Sequence, residues 1–152
     1  MFAIRQAARN ASIRHQPLTR SFTVTSIALS RWTDMVKKTK NTIGIQEITV
    51  DELKSELGAA EKPVIIDVRE GGEVQRGKIP NAVCLSRGVL ELGVEKVVTP
   101  ESDTPIVVYC AGGLRSIMAV ESLVRMGYDN ENIKSLKGGF EAWKKGGNSV
   151  EN

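Results

Sequence analysis

The chain has 152 residues, 41% of them hydrophobic and 26% charged, which gives room for one ordinary domain and excludes disorder throughout. No apolar run approaches the ~18 residues of a membrane-spanning helix, and two cysteines with one histidine exclude a disulfide framework and leave little for a zinc site. The net charge of +3 is unevenly divided: residues 1–40 hold eight Lys/Arg against one acid, and residues 41–152 hold thirteen against seventeen. The basic character therefore belongs to the leader, and no nucleic-acid partner is expected of the acidic remainder.

Arg5, Arg9, Arg14, Arg20 and Arg31 punctuate a segment rich in Ser, Thr and Ala, with no acid before Asp34. Arg5 and Arg9 lie one helical turn apart, and Ile4 and Ala8 form a separate apolar stripe. This composition matches a mitochondrial transit peptide directing import, most simply to the matrix. Chloroplast import shares the signature, and a disordered basic tail is the bland alternative. Residues 23–30 are too polar for a secretory core. The expected division is a leader over 1–34, cleaved between Phe22 and Thr33, a polar linker over 35–42, a domain over 43–147 and a polar tail over 148–152.

Within the domain, Ile43–Ile48 reads as a short strand. Thr49-Val-Asp-Glu52 fits a capping box opening a helix, with Leu53 and Leu57 on one face and Gly58 as its stop. Val64–Val68 is a β-branched run suited to a strand buried on both faces. Ala82–Leu85 is a shorter strand candidate in which Cys84 is expected to be packed, and Pro105–Tyr109 is the clearest strand of all. A six-residue loop from Cys110 to Arg115 leads into a helix from Ser116 to Met126, striped by Ile117, Val120 and Val124 and stopped by Gly127. Ile133–Leu136 is a last strand and Phe140–Lys145 a last helix, with Phe140 and Trp143 expected in the core. Strands alternating with helices predict an α/β fold with a largely parallel sheet.

In such sheets ligands bind beyond the carboxyl ends of the strands, where helices begin. Cys110 occupies that place. The helix start and a loop containing Gly112 and Gly113 offer backbone N–H groups that can form an anion-binding nest, and Arg115 adds a positive charge. Each favours the thiolate, which is the nucleophilic form; a buried inert thiol is the competing reading. Arg69, ending a strand at the same sheet edge, either attracts anions or pairs with Asp67 or Glu70. Asp67 reads as structural. Gly138 and Gly139 suit either a close backbone approach at the pocket rim or a simple turn.

Cys110-Ala-Gly-Gly-Leu-Arg-Ser116 resembles the active-site loop of rhodanese-type sulfurtransferases. Asp67-Val-Arg69-Glu70, Gly77-Lys-Ile-Pro-Asn-Ala82 and Lys137-Gly-Gly-Phe-Glu-Ala-Trp143 resemble other signatures of that family, in the same order. The chain departs from the pattern at Lys78, where histidine is usual, and at Asn81, where glycine is usual; both departures are expected to matter for the turn. The resemblance implies a single-domain rhodanese fold with a five-stranded parallel sheet flanked by helices. It also implies that Cys110 accepts a sulfane sulfur as a persulfide and passes it to a thiophilic acceptor. The backbone of Ala111, Gly112, Gly113, Leu114 and Arg115 would cradle the anion, and Arg115 would dock an anionic donor.

Thiosulfate and glutathione persulfide are the expected donors; cyanide, glutathione and a dithiol protein such as thioredoxin are the expected acceptors. No metal, no organic cofactor and no membrane insertion is expected, and the oligomeric state is not legible. One rival is a phosphatase or arsenate reductase, whose loops place five residues between Cys and Arg where this chain has four. Another is a sulfur carrier or binding module without turnover, serving one partner protein. The only histidine, His15, lies in the leader, which removes a Cys–His pair and disfavours a cysteine protease. Cys84 is weighed as a resolving thiol for Cys110, with an inert packed role the more usual outcome.

Overall fold

The computed structural model describes residues 26–152. Eleven helices and strands carry the fold: α1 (Ser26–Ile43), β1 (Gln46–Ile48), α2 (Val50–Leu57), β2 (Val64–Asp67), α3 (Gly71–Val74), β3 (Val83–Cys84), α4 (Leu90–Gly93), β4 (Ile106–Tyr109), α5 (Leu114–Arg125), β5 (Ile133–Leu136) and α6 (Gly139–Lys145). The strands form one five-stranded sheet in the order β1-β5-β4-β2-β3, and every pairing is parallel. Among the described residues no helix is long and apolar enough to cross a membrane.

Alternation along the strands builds two cores, because successive side chains leave a strand on opposite faces. Ile66, Val108 and Cys110 face one layer with Ile117, Val120 and Leu123 of α5 and Val36 of α1. Ile65, Val107 and Tyr109 face the other, with Leu53 of α2 and Phe140 and Trp143 of α6. The central strand β4 is buried along its whole length, so the residue that follows it emerges at the middle of the sheet. Thr49 caps α2 as expected: its Oγ1 accepts from the Glu52 N–H at 3.3 Å, and the Glu52 carboxylate accepts from the Thr49 N–H at 2.8 Å.

Several expectations are corrected. Residues 35–42 are not a linker but part of α1, which lies on α5 and buries Val36 to 3% exposure. Because that helix runs to Ile43 and stops at Gly44 (φ 72°), the strand predicted over 43–48 is confined to Gln46–Ile48. The helix predicted from Ser116 begins at Leu114, since Gly113 takes a left-handed conformation (φ 90°) and starts it two residues early. Residues 148–152, expected as a polar tail beyond the domain, are docked onto it. Glu151 pairs through its backbone with Lys78 (2.8 and 3.0 Å), and the Ser149 carbonyl accepts from the Trp143 indole N–H at 2.8 Å.

Cys84, expected to be packed, is exposed on the edge strand β3. Asn81 holds a positive φ of 63°, a conformation that asparagine tolerates better than most residues. The expected leader falls largely on residues 1–25, outside the described residues, and the cleavage window that ends at Thr33 overlaps α1.

Candidate active site

Cys110 leaves the carboxyl end of β4 and is buried to 1% exposure. Its Sγ accepts a hydrogen bond from the Gly113 backbone N–H at 3.2 Å and lies 3.7 Å from Ser116 Oγ. Ser116 Oγ donates to the Gly113 carbonyl at 3.1 Å and accepts from Ser135 Oγ at 2.8 Å. The sulfur thus sits against one fixed backbone donor and one hydroxyl anchored from β5. A thiolate or persulfide carried on this atom has the Gly113 N–H waiting for its charge.

The loop takes this shape because α6 holds its outer edge. The Cys110 carbonyl accepts from the Phe140 N–H at 2.8 Å, and the Ala111 carbonyl accepts from the Glu141 N–H at 3.0 Å. With those carbonyls drawn toward α6, the remaining backbone is free to turn an amide toward Sγ. The approach requires glycine on both sides. A Cβ on Gly139 would lie 2.3 Å from the Cys110 carbonyl oxygen, and one on Gly113 would lie 2.9 Å from the Gly138 nitrogen. Of the two readings open for Gly138 and Gly139, close backbone approach is the one observed.

Arg115 lies in the first turn of α5 and not in the loop. Its guanidinium grips the Glu73 carboxylate with both forks, at 2.8 and 2.7 Å. Arg115 in turn holds the Glu73 carboxyl well below the ordinary carboxylate range, at about 2. The expected docking cation is therefore present at the site but paired.

Arg69 is buried and already paired. It is 4% exposed, bonds the Asp67 carboxylate at 2.6 Å and the Gly77 carbonyl at 2.8 Å, and lies 3.9 Å from the centre of the Phe140 ring. Tyr109 donates to the same carboxylate at 2.6 Å and accepts from the Ile79 N–H at 3.1 Å. Burial and the Asp67 carboxylate push the Tyr109 hydroxyl well above its ordinary value. This network ties β2 to β4 and braces the chain that carries Glu73.

A depression of about 450 Å³ opens over Cys110, lined by Trp32, Gly112, Leu114 and Arg115. A smaller groove of about 170 Å³ is lined by Arg69, Glu73, Arg76, Ala111, Phe140 and Lys144.

Sequence reading missed Ser116, Ser135, Glu73 and Trp32 as site residues. Ser116 stands within the quoted loop motif, and its burial beside a helix start was the available signal. Glu73 is 42 positions from Arg115, and no local pattern links them. Cys84 is not a resolving thiol in this arrangement. Cys84 and Tyr109 flank Asp67 from its two sides, so two strand spacings, about 10 Å, separate them, beyond the ~7 Å limit for a disulfide.

Comparison with known proteins gives a consistent result. The family model described as rhodanese-like domain matches residues 49–146. A putative sulfurtransferase, YtwF, of Bacillus subtilis is 36% identical over 100 residues, covering 66% of this chain and 91% of its own. Thiosulfate sulfurtransferase GlpE of Pseudoalteromonas translucida is 37% identical over 90 residues, covering 59% and 80%. Among solved structures, a Rhodopseudomonas palustris protein described as a possible tyrosine phosphatase superposes with a TM-score of 0.67 at 30% identity, covering 90% of this chain and 98% of that one.

Proposed function

The chain belongs to the rhodanese-like family, and from that membership we propose that it is a sulfurtransferase working through a persulfide on Cys110. The Cys110 thiolate attacks the sulfane sulfur of an anionic donor, thiosulfate or glutathione persulfide. The donor's S–S bond breaks and its leaving group, sulfite or the glutathione thiolate, departs with the electron pair. The terminal sulfur now carries the negative charge. An acceptor thiolate or cyanide attacks that sulfur, the Cys110 S–S bond breaks, and Cys110 returns as thiolate. Thioredoxin or another dithiol protein is a reasonable acceptor beside glutathione. Cysteine itself carries the sulfur, so the cycle calls on no metal or organic cofactor.

The observation that carries this reading is the Gly113 N–H held on Cys110 Sγ by a loop whose carbonyls are drawn to α6. Four residues separate Cys110 from Arg115, and Arg115 is held by Glu73. Both features support transfer of a terminal sulfur over the seating of a tetrahedral phosphate or arsenate. The composition of residues 1–40 supports import into the mitochondrial matrix, with cleavage between Phe22 and Thr33.

Two-substrate kinetics with thiosulfate and cyanide test the proposal: parallel double-reciprocal lines are expected, and they vanish with Cys110→Ser. Intersecting lines, or hydrolysis of an aryl phosphate at a comparable rate, would instead favour direct transfer or the phosphatase reading.

A further inference from the structure

Two features of the site point to the kind of donor it accepts. The depression over Cys110, about 450 Å³, is far larger than a thiosulfate ion fills and lies in the size range of sites for organic ligands, about 300–1,000 Å³. Its lining is mostly carbon: Trp32 is half-buried, and Leu114 is 38% exposed. Arg115 is the one charged residue among the described residues that line it, and Glu73 already neutralises both of its forks. A small dianion would find a paired cation there, whereas an organic group would cover the open indole and leucine.

We propose that Trp32, with Leu114, is a specificity-determining residue that selects an organic sulfane-sulfur anion carrying an apolar group beside its reacting sulfur. The inference rests on the reading of Cys110 as the sulfur-accepting nucleophile. Trp32 comes from α1, outside the segment that the family model matches, so the wall is supplied by the helix that precedes that segment. Val36, one turn further along, is buried against α5 and holds the helix in place. An indole is rigid and offers a broad apolar face at little conformational cost, and Leu114 stands beside it in the first turn of α5.

The chemistry is that of the first half-reaction. The Cys110 thiolate forms a bond to the terminal sulfur of R–SO₂–S⁻, the S–S bond of the donor breaks, and the sulfinate R–SO₂⁻ leaves with the electron pair. No oxidant or reductant is consumed.

Benzenethiosulfonate and methanethiosulfonate anions test the proposal, because they share charge and reacting atoms and differ only in the apolar group. With the full chain, kcat/KM for the phenyl donor should exceed that for the methyl donor by about tenfold, the scale expected when an aromatic group is partly buried. Trp32→Ala and, separately, Leu114→Ala should each shrink that ratio several-fold, and Trp32→Phe should keep most of it. Equal ratios in wild type and both alanine variants would overturn the role of Trp32, even if both donors are turned over. If neither donor nor thiosulfate places sulfur on Cys110, the sulfur-transfer reading itself fails and the inference falls with it.

Discussion

The backbone of Gly139 approaches Cys110 so closely that a Cβ built there would lie 2.3 Å from the Cys110 carbonyl oxygen, at a φ of 57°. That approach lets the Phe140 and Glu141 amides reach the loop carbonyls. Gly139→Ala must therefore push α6 away from the loop or strain both. We expect a loss of about 2 kcal/mol or more in stability together with near-complete loss of sulfur transfer, read by thermal unfolding and by kcat/KM. A variant that is as stable and active as wild type would show that the loop does not depend on this contact.

Ser116 lies beside the sulfur, its hydroxyl 3.7 Å from Cys110 Sγ, and it fixes the Gly113 peptide by donating to the Gly113 carbonyl while accepting from Ser135. Ser116→Ala removes that group with little change in volume. With the bond that fixes the Gly113 peptide gone, persulfide formation should slow by about fivefold, the scale of one neutral hydrogen bond, in single-turnover measurements. An unchanged rate would show that the Gly113 peptide keeps its place without Ser116.

The Glu73–Arg115 pair gives a pH dependence of definite sign. The Glu73 carboxyl titrates near 4.5 ordinarily and at about 2 in the folded protein, chiefly because of the hydrogen bonds from Arg115. Its contribution to stability is full above about 4.5 and is lost as the pH falls through about 2. Both side chains are partly exposed, so a difference of about 1 kcal/mol between wild type and Glu73→Gln is expected at neutral pH. That difference should fade at acid pH in urea unfolding. The same variant frees the Arg115 guanidinium, and KM for thiosulfate should fall several-fold; an unchanged or higher KM would remove Arg115 from donor docking.

Arg69 separates a structural cation from a docking one. Its pairing with Asp67 is buried on both sides, so Arg69→Ala leaves a buried carboxylate without its partner. Stability should drop by about 3 kcal/mol or more. A fully stable variant with a raised KM for thiosulfate would restore the anion-binding role that sequence reading allowed it.

The parts legible in the sequence were those with local or periodic signals. Cys110 at a strand end, the stripe of Ile117 and Val120 on α5, and the Thr49 capping box all report themselves within a few residues. The α1 helix did not, because its inward face is sparse. Between Trp32 and Ile43, Val36 is buried amid Lys37, Lys38 and Lys40, and such a composition reads equally as leader and linker. Glu73 and Trp32 join the site only through tertiary packing, and no periodicity announces such contacts. Cys84 was misjudged because a short apolar run does not tell a central strand from an edge strand; its place beside β2 alone leaves the thiol exposed.

The central claim, a sulfur carried on Cys110, is tested most directly by the intact mass of the full chain after exposure to thiosulfate or glutathione persulfide. A Cys84→Ser background removes the exposed second thiol, and Cys110→Ser in that background is the control. The account predicts a gain of one sulfur atom where Cys110 is present and none in the control, with the gain reversed by cyanide or glutathione. No gain from either donor, or an equal gain in the control, would contradict it and leave a rhodanese-like binding module in its place.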